Sequence, residues 1–398
     1  MYGRKAFEQL EEHLDNKLIT VITGLRRVGK STALKHLYKS YKSNNKIYLD
    51  LERLENRAIF QLDNYSHIEN ALEAMGFDFK KPGLMALDEI QTVRNMPSIV
   101  KSIYDTYGTK FVVTGSSAFY LRNHFDESLA GRKKIFNMYP LDFEEFLEFK
   151  EVKKPNFKKF RLATFNKTFY DLYQSYYQEY LTYGGFPEVV LAKKEADKKD
   201  YLRDILNSHI ELDIRLLGDI SASDTLYKLI LLLSQRVGSK LDISKISVIL
   251  GENRKKITDY ILLLEGTFLI RMVKPFTSGK DKEITKQPKL YFTDNGLLNI
   301  CAQVSMGARF ENAICNQLAC QGDVNYYERT TGTEIDFIWN RKIAVEVKQT
   351  PVPQDYSQLR VRADKVGLND VLLVGEGVAP KNFNNYVWGG SIFTSDSL

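Results

Sequence analysis

The sequence predicts an α/β fold in which a mostly parallel sheet, with helices on both faces, precedes a helical region and a smaller α/β region. Short apolar runs rich in β-branched residues alternate with helical patterns in the part of the chain before Pro140. Beyond it the apolar spacing becomes helical, and strand-like runs return in the C-terminal part. With 398 residues the chain is too long for one ordinary core, so we expect two to three domains.

The first region contains four strand-like segments separated by helical ones. The segments predicted as strands are Lys17–Thr23, Lys46–Leu51, Gly83–Asp88 and Lys110–Thr114. Helical spacing of apolar residues is found, for example, in Ser31–Tyr41 and Met96–Tyr107. This alternation predicts a parallel sheet, because parallel neighbours need a long crossover connection that is usually a helix.

Aromatic residues at helical spacing mark the region after Pro140. They are Phe165, Phe169, Tyr173, Tyr176 and Tyr180. A stripe of this kind could stack bases, but it is more often the buried face of a helix, and we predict core packing. A second helix is predicted for Asp200–Gly218.

Three helical segments and a hairpin are predicted next. The helices are Leu226–Val237, Leu241–Ile249 and Arg254–Leu264, and the strands are Phe268–Val273 and Tyr291–Asp294. This order is typical of a winged helix. Basic residues cluster in Asn253–Lys256 and Lys274–Lys289, where they suit contacts with DNA phosphates. Solvated surface and protein contacts are the alternatives for both clusters.

The remaining chain restarts with a helix and continues as strands. The predicted elements are a helix at Gly307–Cys320, strands at Asn325–Glu328, Glu334–Trp339 and Lys342–Lys348, a helix near Gln358–Lys365 and a strand at Val371–Val374. We therefore expect four regions: residues 1–142, a helical lid or linker over 143–222, a winged helix over 223–298, and a small α/β domain over 299–398.

Composition is ordinary for a soluble globular protein, at 43% hydrophobic and 27% charged residues. The longest apolar runs, near Leu229–Leu233 and Ile261–Leu264, are too short for a membrane helix, and the acidic first segment does not resemble a signal peptide. Three cysteines form neither a disulfide framework nor a metal-binding spacing. We expect a cytoplasmic protein without a membrane partner. Its net charge of +6 is compatible with nucleic acid without indicating it.

A phosphate-binding loop is predicted from Gly24 to Ser31, because GLRRVGKS matches the pattern G-x-x-x-x-G-K-[ST]. The motif follows an apolar strand and opens a helix, so backbone N–H groups and the positive helix N terminus can face phosphates. Lys30 is expected to reach the β- and γ-phosphates, and the Ser31 hydroxyl to bind Mg²⁺. The expected nucleotide contacts are Gly24, Arg26, Arg27, Val28, Gly29, Lys30, Ser31 and Thr32. ATP with Mg²⁺ is the predicted ligand.

Two acidic residues end the apolar strand that begins at Leu84. Asp88 is expected to bind the Mg²⁺ ion, and Glu89 to polarise the attacking water. A later strand runs into hydroxyl residues, among which Ser116 is the predicted sensor of the γ-phosphate. A kinase is disfavoured, because Glu89 beside Asp88 suits attack by water and no acceptor-binding motif is evident.

These motifs together resemble the prokaryotic AAA-type P-loop ATPases that carry a C-terminal winged-helix and nuclease-like region. The other segments that carry the resemblance are LDEIQ at Leu87–Gln91, TGSSA at Thr114–Ala118, LAGR at Leu129–Arg132, YGGFPEVV at Tyr183–Val190 and KLYFTDNGLL at Lys289–Leu298. The resemblance implies ATP hydrolysis and an extra strand between the phosphate-loop strand and the Asp88 strand. It also implies an arginine-finger or sensor role for Arg132, in cis or from a neighbour in a homo-oligomer. An ordinary salt bridge is the alternative for Arg132.

A second constellation of acidic residues lies in the region 299–398. Residues two apart in a strand share a face, so Glu346 and Lys348 project together, towards Asp336 on the preceding strand. Glu311 on the preceding helix completes the group. Carboxylates with a lysine suit metal-dependent phosphodiester cleavage, with the acids holding a second Mg²⁺ or Mn²⁺ ion. The spacing resembles the PD-(D/E)XK nuclease superfamily, which implies a nuclease-like domain and leaves its activity open.

Two functions from different classes fit the sequence. The first is an ATPase coupled to a C-terminal half that binds DNA and cleaves it or remodels it. The second is a signal-transducing NTPase switch that acts on protein partners, with an inactive nuclease-like domain. DNA-stimulated turnover or cleavage would separate the two. Tyr2 and Arg4 are candidate adenine contacts without a motif to support them.

Overall fold

The computed structural model describes residues 2–62, 64–115, 129–152, 164–217, 222–277, 286–329, 333–380 and 383–392. The chain divides into two compact units. The first consists of Met1–Tyr139 with Gly266–Phe268, and the second of Pro140–Glu265 with Leu269–Leu398. The first boundary lies three residues before the expected one at 142, and the three expected C-terminal regions fall together in the second unit.

The first unit is built on a five-stranded sheet. Its strands are β1 (Ile19–Thr23), β2 (Lys46–Asp50), β3 (Leu84–Asp88), β4 (Lys110–Gly115) and β5 (Lys133–Asn137). Its helices are α1 (Lys5–Glu12), α2 (Lys30–Ser40), α3 (Leu54–Ile59), α4 (Tyr65–Ala74) and α5 (Met96–Tyr107). The strand order is β2-β3-β4-β1-β5, and all the pairings are parallel. The predicted parallel α/β sheet is confirmed.

Strand β4 lies between β1 and β3, which is the extra strand that the resemblance implied. The strands β1, β3 and β4 are buried along their whole length, and their sequences are mainly apolar, as expected for central parallel strands. Strand β5 was not predicted. It is an edge strand with two lysines and three exposed residues, and it has no apolar pattern to reveal it.

Helices form a large part of the second unit, and the last three of them lie between strands of its sheet along the chain. They are α6 (Phe143–Phe149), α7 (Lys167–Tyr183), α8 (Pro187–Leu191), α9 (Glu195–Leu217), α10 (Ala222–Ser234), α11 (Ile243–Leu250), α12 (Arg254–Gly266), α13 (Asn295–Cys301), α14 (Met306–Ala319) and α15 (Pro353–Asp364). Four residues of the predicted stripe lie on α7, where Phe169, Tyr173 and Tyr180 are buried and Tyr176 is half-buried, and Phe165, also half-buried, lies just before the helix. The prediction of core packing for this stripe is therefore confirmed.

One sheet of seven strands joins the hairpin after α12 to the C-terminal region. Its strands are β6 (Ile270–Pro275), β7 (Lys289–Phe292), β8 (Val324–Glu328), β9 (Glu334–Trp339), β10 (Ile343–Lys348), β11 (Asp370–Gly375) and β12 (Val387–Trp388). The order is β12-β11-β10-β9-β8-β6-β7, with β6 antiparallel to β7 and parallel to β8. The expected hairpin and the expected C-terminal domain thus share a continuous sheet.

Several elements of the second unit agree closely with the prediction, whereas α9, α10 and α15 begin four or five residues earlier than predicted. The β9 segment has the predicted bounds, and the helices α11, α12 and α14 begin and end within two residues of expectation. Short elements such as α8 and α13 were missed. Among the described helices, none has the length and apolar content that a membrane crossing requires.

Candidate functional site

The loop that follows β1 has the backbone of a phosphate cradle. Gly24 has φ 153° and Gly29 has φ 102°, values at which a side chain is strained. A Cβ on Gly24 would lie 2.0 Å from the carbonyl oxygen of Met138, so no other residue fits there. Gly29 is the N-cap of α2, whose first residue is Lys30. The loop therefore delivers Lys30 and Ser31 at the positive end of a helix.

Lys30 is held inside the loop by the loop's own backbone. Its Nζ donates to the carbonyl oxygens of Gly24 (3.1 Å) and Leu25 (2.9 Å) and lies 4.0 Å from Glu89 Oε1. Burial lowers the pKa of Lys30, and the negative charge of Glu89 opposes this effect. An anion arriving at the loop would gain a desolvated lysine as its counter-charge.

Asp88 lies at the end of β3, between two hydroxyl donors. Thr114 at the end of β4 donates its hydroxyl hydrogen to Asp88 Oδ1, and the Tyr48 hydroxyl donates to Oδ2 at 3.0 Å. The amide of Glu89 donates to Thr114 Oγ1 at 3.0 Å. Thr114 therefore links the two acidic residues. Neither Thr114 nor Tyr48 was predicted, although the position of Thr114 at the end of an apolar strand was a usable signal.

Glu89 has an unusual backbone conformation, with φ 54° and ψ 51°. Left-handed backbone costs energy for a residue with a side chain and is found preferentially at functional sites. Its Oε2 accepts a hydrogen bond from Gln91 Nε2, while Oε1 faces Lys30. The carboxylate that was predicted to polarise water is thus aimed at the phosphate loop.

The residues around the loop fit a nucleotide with Mg²⁺. Ser31 and Asp88 offer a hydroxyl and a carboxylate, which are the hard oxygen ligands that Mg²⁺ prefers. Thr23, the last residue of β1, has a buried hydroxyl without a hydrogen-bond partner in the described structure. Its carbonyl oxygen accepts the amide of Met138 at 2.7 Å. An unpartnered buried hydroxyl beside a glycine cradle is typical of a site built for a polar ligand.

The other predicted nucleotide contacts lie along the same loop. Arg26 lies 3.7 Å from Glu52, and Arg27 is exposed with φ 62°. Val28 is buried and Thr32 is exposed. Ser116, the predicted γ-phosphate sensor, lies outside the described residues.

The structure does not bring Arg132 to the loop of its own chain. The amide of Ile19 donates to the Arg132 carbonyl at 2.8 Å, at the start of β1. Because β1 and β5 are parallel, Arg132 lies at the end of the sheet opposite the phosphate loop, about 20 Å from Gly24 along the strand. Its guanidinium pairs with Asp105 at 2.8 Å. In the structure, Arg132 forms an exposed salt bridge. A role of Arg132 towards a neighbouring copy of the chain stays a prediction.

The acid cluster of the second unit is also assembled. Strand pairing puts Val345 opposite Phe337, so that Glu346 and Asp336 are the next residues on facing strands. Lys348 Nζ lies 2.8 Å from Glu346 Oε1. Burial, Glu346 and Glu311, in that order, raise the pKa of Asp336 to about 7. All four predicted residues are therefore close enough to interact electrostatically.

Further residues complete this cluster, and the sequence reasoning missed them. Tyr291 on β7 donates its hydroxyl hydrogen to Glu311 at 2.7 Å, and the buried Lys289 on the same face pairs with Glu334. Arg362 on α15 lies 3.0 Å from the same Glu346 oxygen that Lys348 contacts. The segment KLYFTDNGLL contains Lys289 and Tyr291, but nothing in it connects these residues to the acid cluster, and Arg362 lies in no recognised motif.

The expected second metal site is not formed by these side chains. In the parts of the chain that the structure describes, no three histidine, cysteine or carboxylate residues are arranged to hold a metal ion. One Glu346 oxygen is engaged by two cations, and its other oxygen is buried without a hydrogen-bond partner. Asp336 accepts the amide of Val347 at 2.8 Å. Lysine and arginine side chains supply positive charge to the cluster.

The sheet order and the loop define the class of the first unit: it is an AAA-type P-loop domain. In agreement, residues 16–147 match the AAA domain family. The chain is 30% identical over 345 residues to an uncharacterized protein of Haemophilus influenzae, covering 83% of this chain and 82% of that protein. It is 31% identical over 333 residues to the uncharacterized protein MJ1544 of Methanocaldococcus jannaschii, covering 80% and 71%. The chain belongs to the same family as these two proteins.

Two other similarities contribute less to the family assignment. Residues 174–307 match a domain of unknown function, DUF8612. Among solved structures, the ADP form of the Aeropyrum pernix ORC2 protein aligns with 73% of this chain and 90% of its own, at 11% identity and a TM-score of 0.37. A TM-score this low carries no argument about function, and the assignment depends on the family match and on the loop.

Proposed function

We propose that the chain is a Mg²⁺-dependent ATP hydrolase whose nucleotide cycle acts on DNA bound by the C-terminal half. The observation that carries the first part is the convergence of Lys30, Asp88, Glu89 and Thr114 on one sheet edge. Bound Mg²⁺ would supply charge neutralisation at the phosphates. The chain's own residues have separate tasks: Lys30 binds phosphate, Ser31 and Asp88 hold the metal, and Glu89 accepts a proton from water.

Phosphate release by the purified chain, beside Lys30→Ala and Glu89→Gln, tests hydrolysis. Lys30→Ala should lose nucleotide binding, because it removes the buried counter-charge of the loop. Glu89→Gln should keep ATP binding and lose turnover by roughly 100-fold or more, as expected for removal of a general base. Equal release rates in all three proteins would end the hydrolase proposal.

The DNA part of the proposal depends on the three helices and hairpin of the second unit. Helices α10, α11 and α12 followed by the antiparallel pair β6–β7 have the element order of a winged helix. Arg254 and Lys255 are exposed in the first turn of α12, the position of a recognition helix. Lys256 Nζ lies 2.9 Å from Glu252 Oε1, so this lysine is less available for contact with DNA. We infer that Arg254 and Lys255 contact DNA phosphates.

Binding of labelled duplex DNA over a range of salt concentrations tests this surface. Affinity should fall steeply with salt, and the double variant Arg254→Ala/Lys255→Ala should reduce the logarithmic salt slope by about two. The matched control Lys193→Ala/Lys194→Ala removes two exposed charges that follow α8 and should keep the slope. An unchanged slope in the first variant, or the same loss in both, would contradict the assignment.

The switch that acts on protein partners is a second candidate, favoured by the ion pairs of the acid cluster. Lys348 and Arg362 both contact Glu346 Oε1, so two cationic side chains already neutralise this carboxylate, which a nuclease would use as a metal ligand. In this candidate the chain hydrolyses ATP slowly, ignores DNA and does not cut it. Plasmid cleavage in Mg²⁺ or Mn²⁺ that disappears in Asp336→Ala would exclude an inactive nuclease-like domain. ATP turnover that DNA accelerates would exclude the switch.

A further inference from the structure

The side chain of Arg4 connects the phosphate loop to the end of the first unit. Its Nη1 donates to the carbonyl oxygen of Val28 at 2.8 Å, inside the loop. Its Nη2 donates to the carbonyl oxygen of Tyr139 at 2.9 Å. Tyr139 is the last residue of the first unit before the chain enters the second at Pro140. One guanidinium therefore fixes two carbonyls that are far apart in sequence.

The hydrogen bond from Arg4 to Val28 restricts the orientation of the Val28–Gly29 peptide group in the loop. A peptide group is planar and trans, so its carbonyl and the following N–H point in opposite directions. With the Val28 carbonyl held by Arg4, the amide of Gly29 must point away from Arg4. In loops of this type, backbone amides at this position are the phosphate donors. Arg4 thus sets the direction of a phosphate-binding amide without touching the phosphate.

The first residue of the loop also contacts the segment Met138–Tyr139. Gly24 lies against the Met138 carbonyl so closely that a Cβ would reach 2.0 Å, and the amide of Met138 donates to Thr23 at 2.7 Å. The Met138 side chain would lie 3.5 Å from a Cβ on Gly29. Gly24 and Gly29 therefore both lie close to Met138, and Arg4 bridges Val28 to Tyr139. We expect a change in the loop on nucleotide binding to act on Met138 and Tyr139 through these contacts.

We propose that Arg4 is a positioning residue that orients the Gly29 amide for phosphate and transmits occupancy of the loop to Met138–Tyr139, the segment that leads into the second unit. Arginine suits this role because its planar fork reaches two acceptors at once in a fixed geometry. The proposal rests on nucleotide binding at the loop. It assigns a function to a residue of the N-terminal segment that carries no recognised motif.

The test compares Arg4→Ala and Arg4→Lys with the wild-type chain by calorimetric titration with ADP, a probe that needs no turnover. Arg4→Ala should bind ADP roughly tenfold or more weakly, since it loses two charge-assisted hydrogen bonds. Arg4→Lys should recover part of the affinity. The matched control is Lys110→Met, because Lys110 bonds three backbone carbonyls at the opposite end of the sheet, those of His13, Asn16 and Leu18.

Hydrogen exchange in peptides that span Met138 to Leu141 supplies the second measurement. ADP should slow exchange there in the wild type and in Lys110→Met, but not in Arg4→Ala. The proposal is overturned if Arg4→Ala binds ADP within about twofold of wild type, or if Lys110→Met loses as much affinity. A wild-type chain that binds no ADP would instead overturn the proposed function on which this inference rests.

Discussion

At the scale of single residues, the nucleotide site depends on hydrogen bonds that the sequence motifs do not contain. Thr114 accepts the amide of Glu89 and donates to Asp88, while Tyr48 donates to the other oxygen of Asp88. Each hydroxyl fixes one rotamer of a carboxylate that would otherwise be free to turn. Pre-positioned groups of this kind are a large part of catalytic power, because they need no reorganisation during the reaction.

Replacement of Thr114 by valine should therefore slow ATP hydrolysis by roughly 10- to 100-fold, the cost of losing a hydrogen bond to a charged group. Valine keeps the shape of threonine in a fully buried strand, so the fold should be preserved. Steady-state turnover at saturating ATP, measured against Mg²⁺ concentration, checks the effect. Thr114→Ser, which keeps the hydroxyl, is the matched control, and a serine variant as slow as the valine one would contradict the relay.

At the scale of elements, the sequence predicted the parts whose pattern is set by burial. The central strand β3 is apolar up to its last residue, Asp88, and α5 has an apolar face towards the interior. The observed bounds of α5 equal the predicted ones. The exposed edge strand β5 and the short helices α8 and α13 lack such a pattern and were missed. Elements that obtain their stability from tertiary contacts carry little local signal.

In the candidate sites, too, the sequence predicted only the residues that belong to a local pattern. The phosphate loop was predicted because its backbone chemistry demands glycines at fixed spacing, as the positive φ of Gly29 shows. The sequence did not predict the contacts of Arg4, Tyr48 and Lys289. Each of these residues contacts a partner that is far away in the sequence and that no motif connects to it. The position of Arg132 also depends on strand register, which sequence alone did not provide.

At the scale of the whole molecule, the two units carry buried ionisable groups whose effects on stability have opposite pH dependence. In the first unit, burial and then the charges of Lys110 and Lys134 lower the pKa of His13 to about 4. As pH falls, the His13 imidazole is protonated in the unfolded chain before it is protonated in the folded chain. The first unit therefore loses stability as pH falls from about 6.5 towards 4. In the second unit, burial raises the pKa of Asp294 to about 6.

Asp294 lies at the start of α13 and joins two motifs of the second unit. Its carboxylate accepts the amide of Leu297 at 3.0 Å and the amide of Gly185, in the YGGFP segment, at 2.8 Å. These hydrogen bonds favour the charged form, yet burial outweighs them. The folded chain therefore binds the proton more tightly than the unfolded chain between about pH 4 and pH 6, and the stability from this group decreases as pH rises through that window.

Both tryptophans of the chain, Trp339 and Trp388, lie in the second unit, so tryptophan fluorescence excited beyond the tyrosine absorption band reports on that unit during urea unfolding. Between about pH 4 and pH 7 the free energy of unfolding should fall in wild type by about 2 to 3 kcal/mol relative to Asp294→Asn, which cannot titrate. The shift arises because only the wild-type chain must bury a newly formed charge. His13→Gln, a change in the first unit, should leave this difference unaltered. A wild-type chain whose stability relative to Asp294→Asn stays constant across that range would show that Asp294 is ionised in the folded state at low pH.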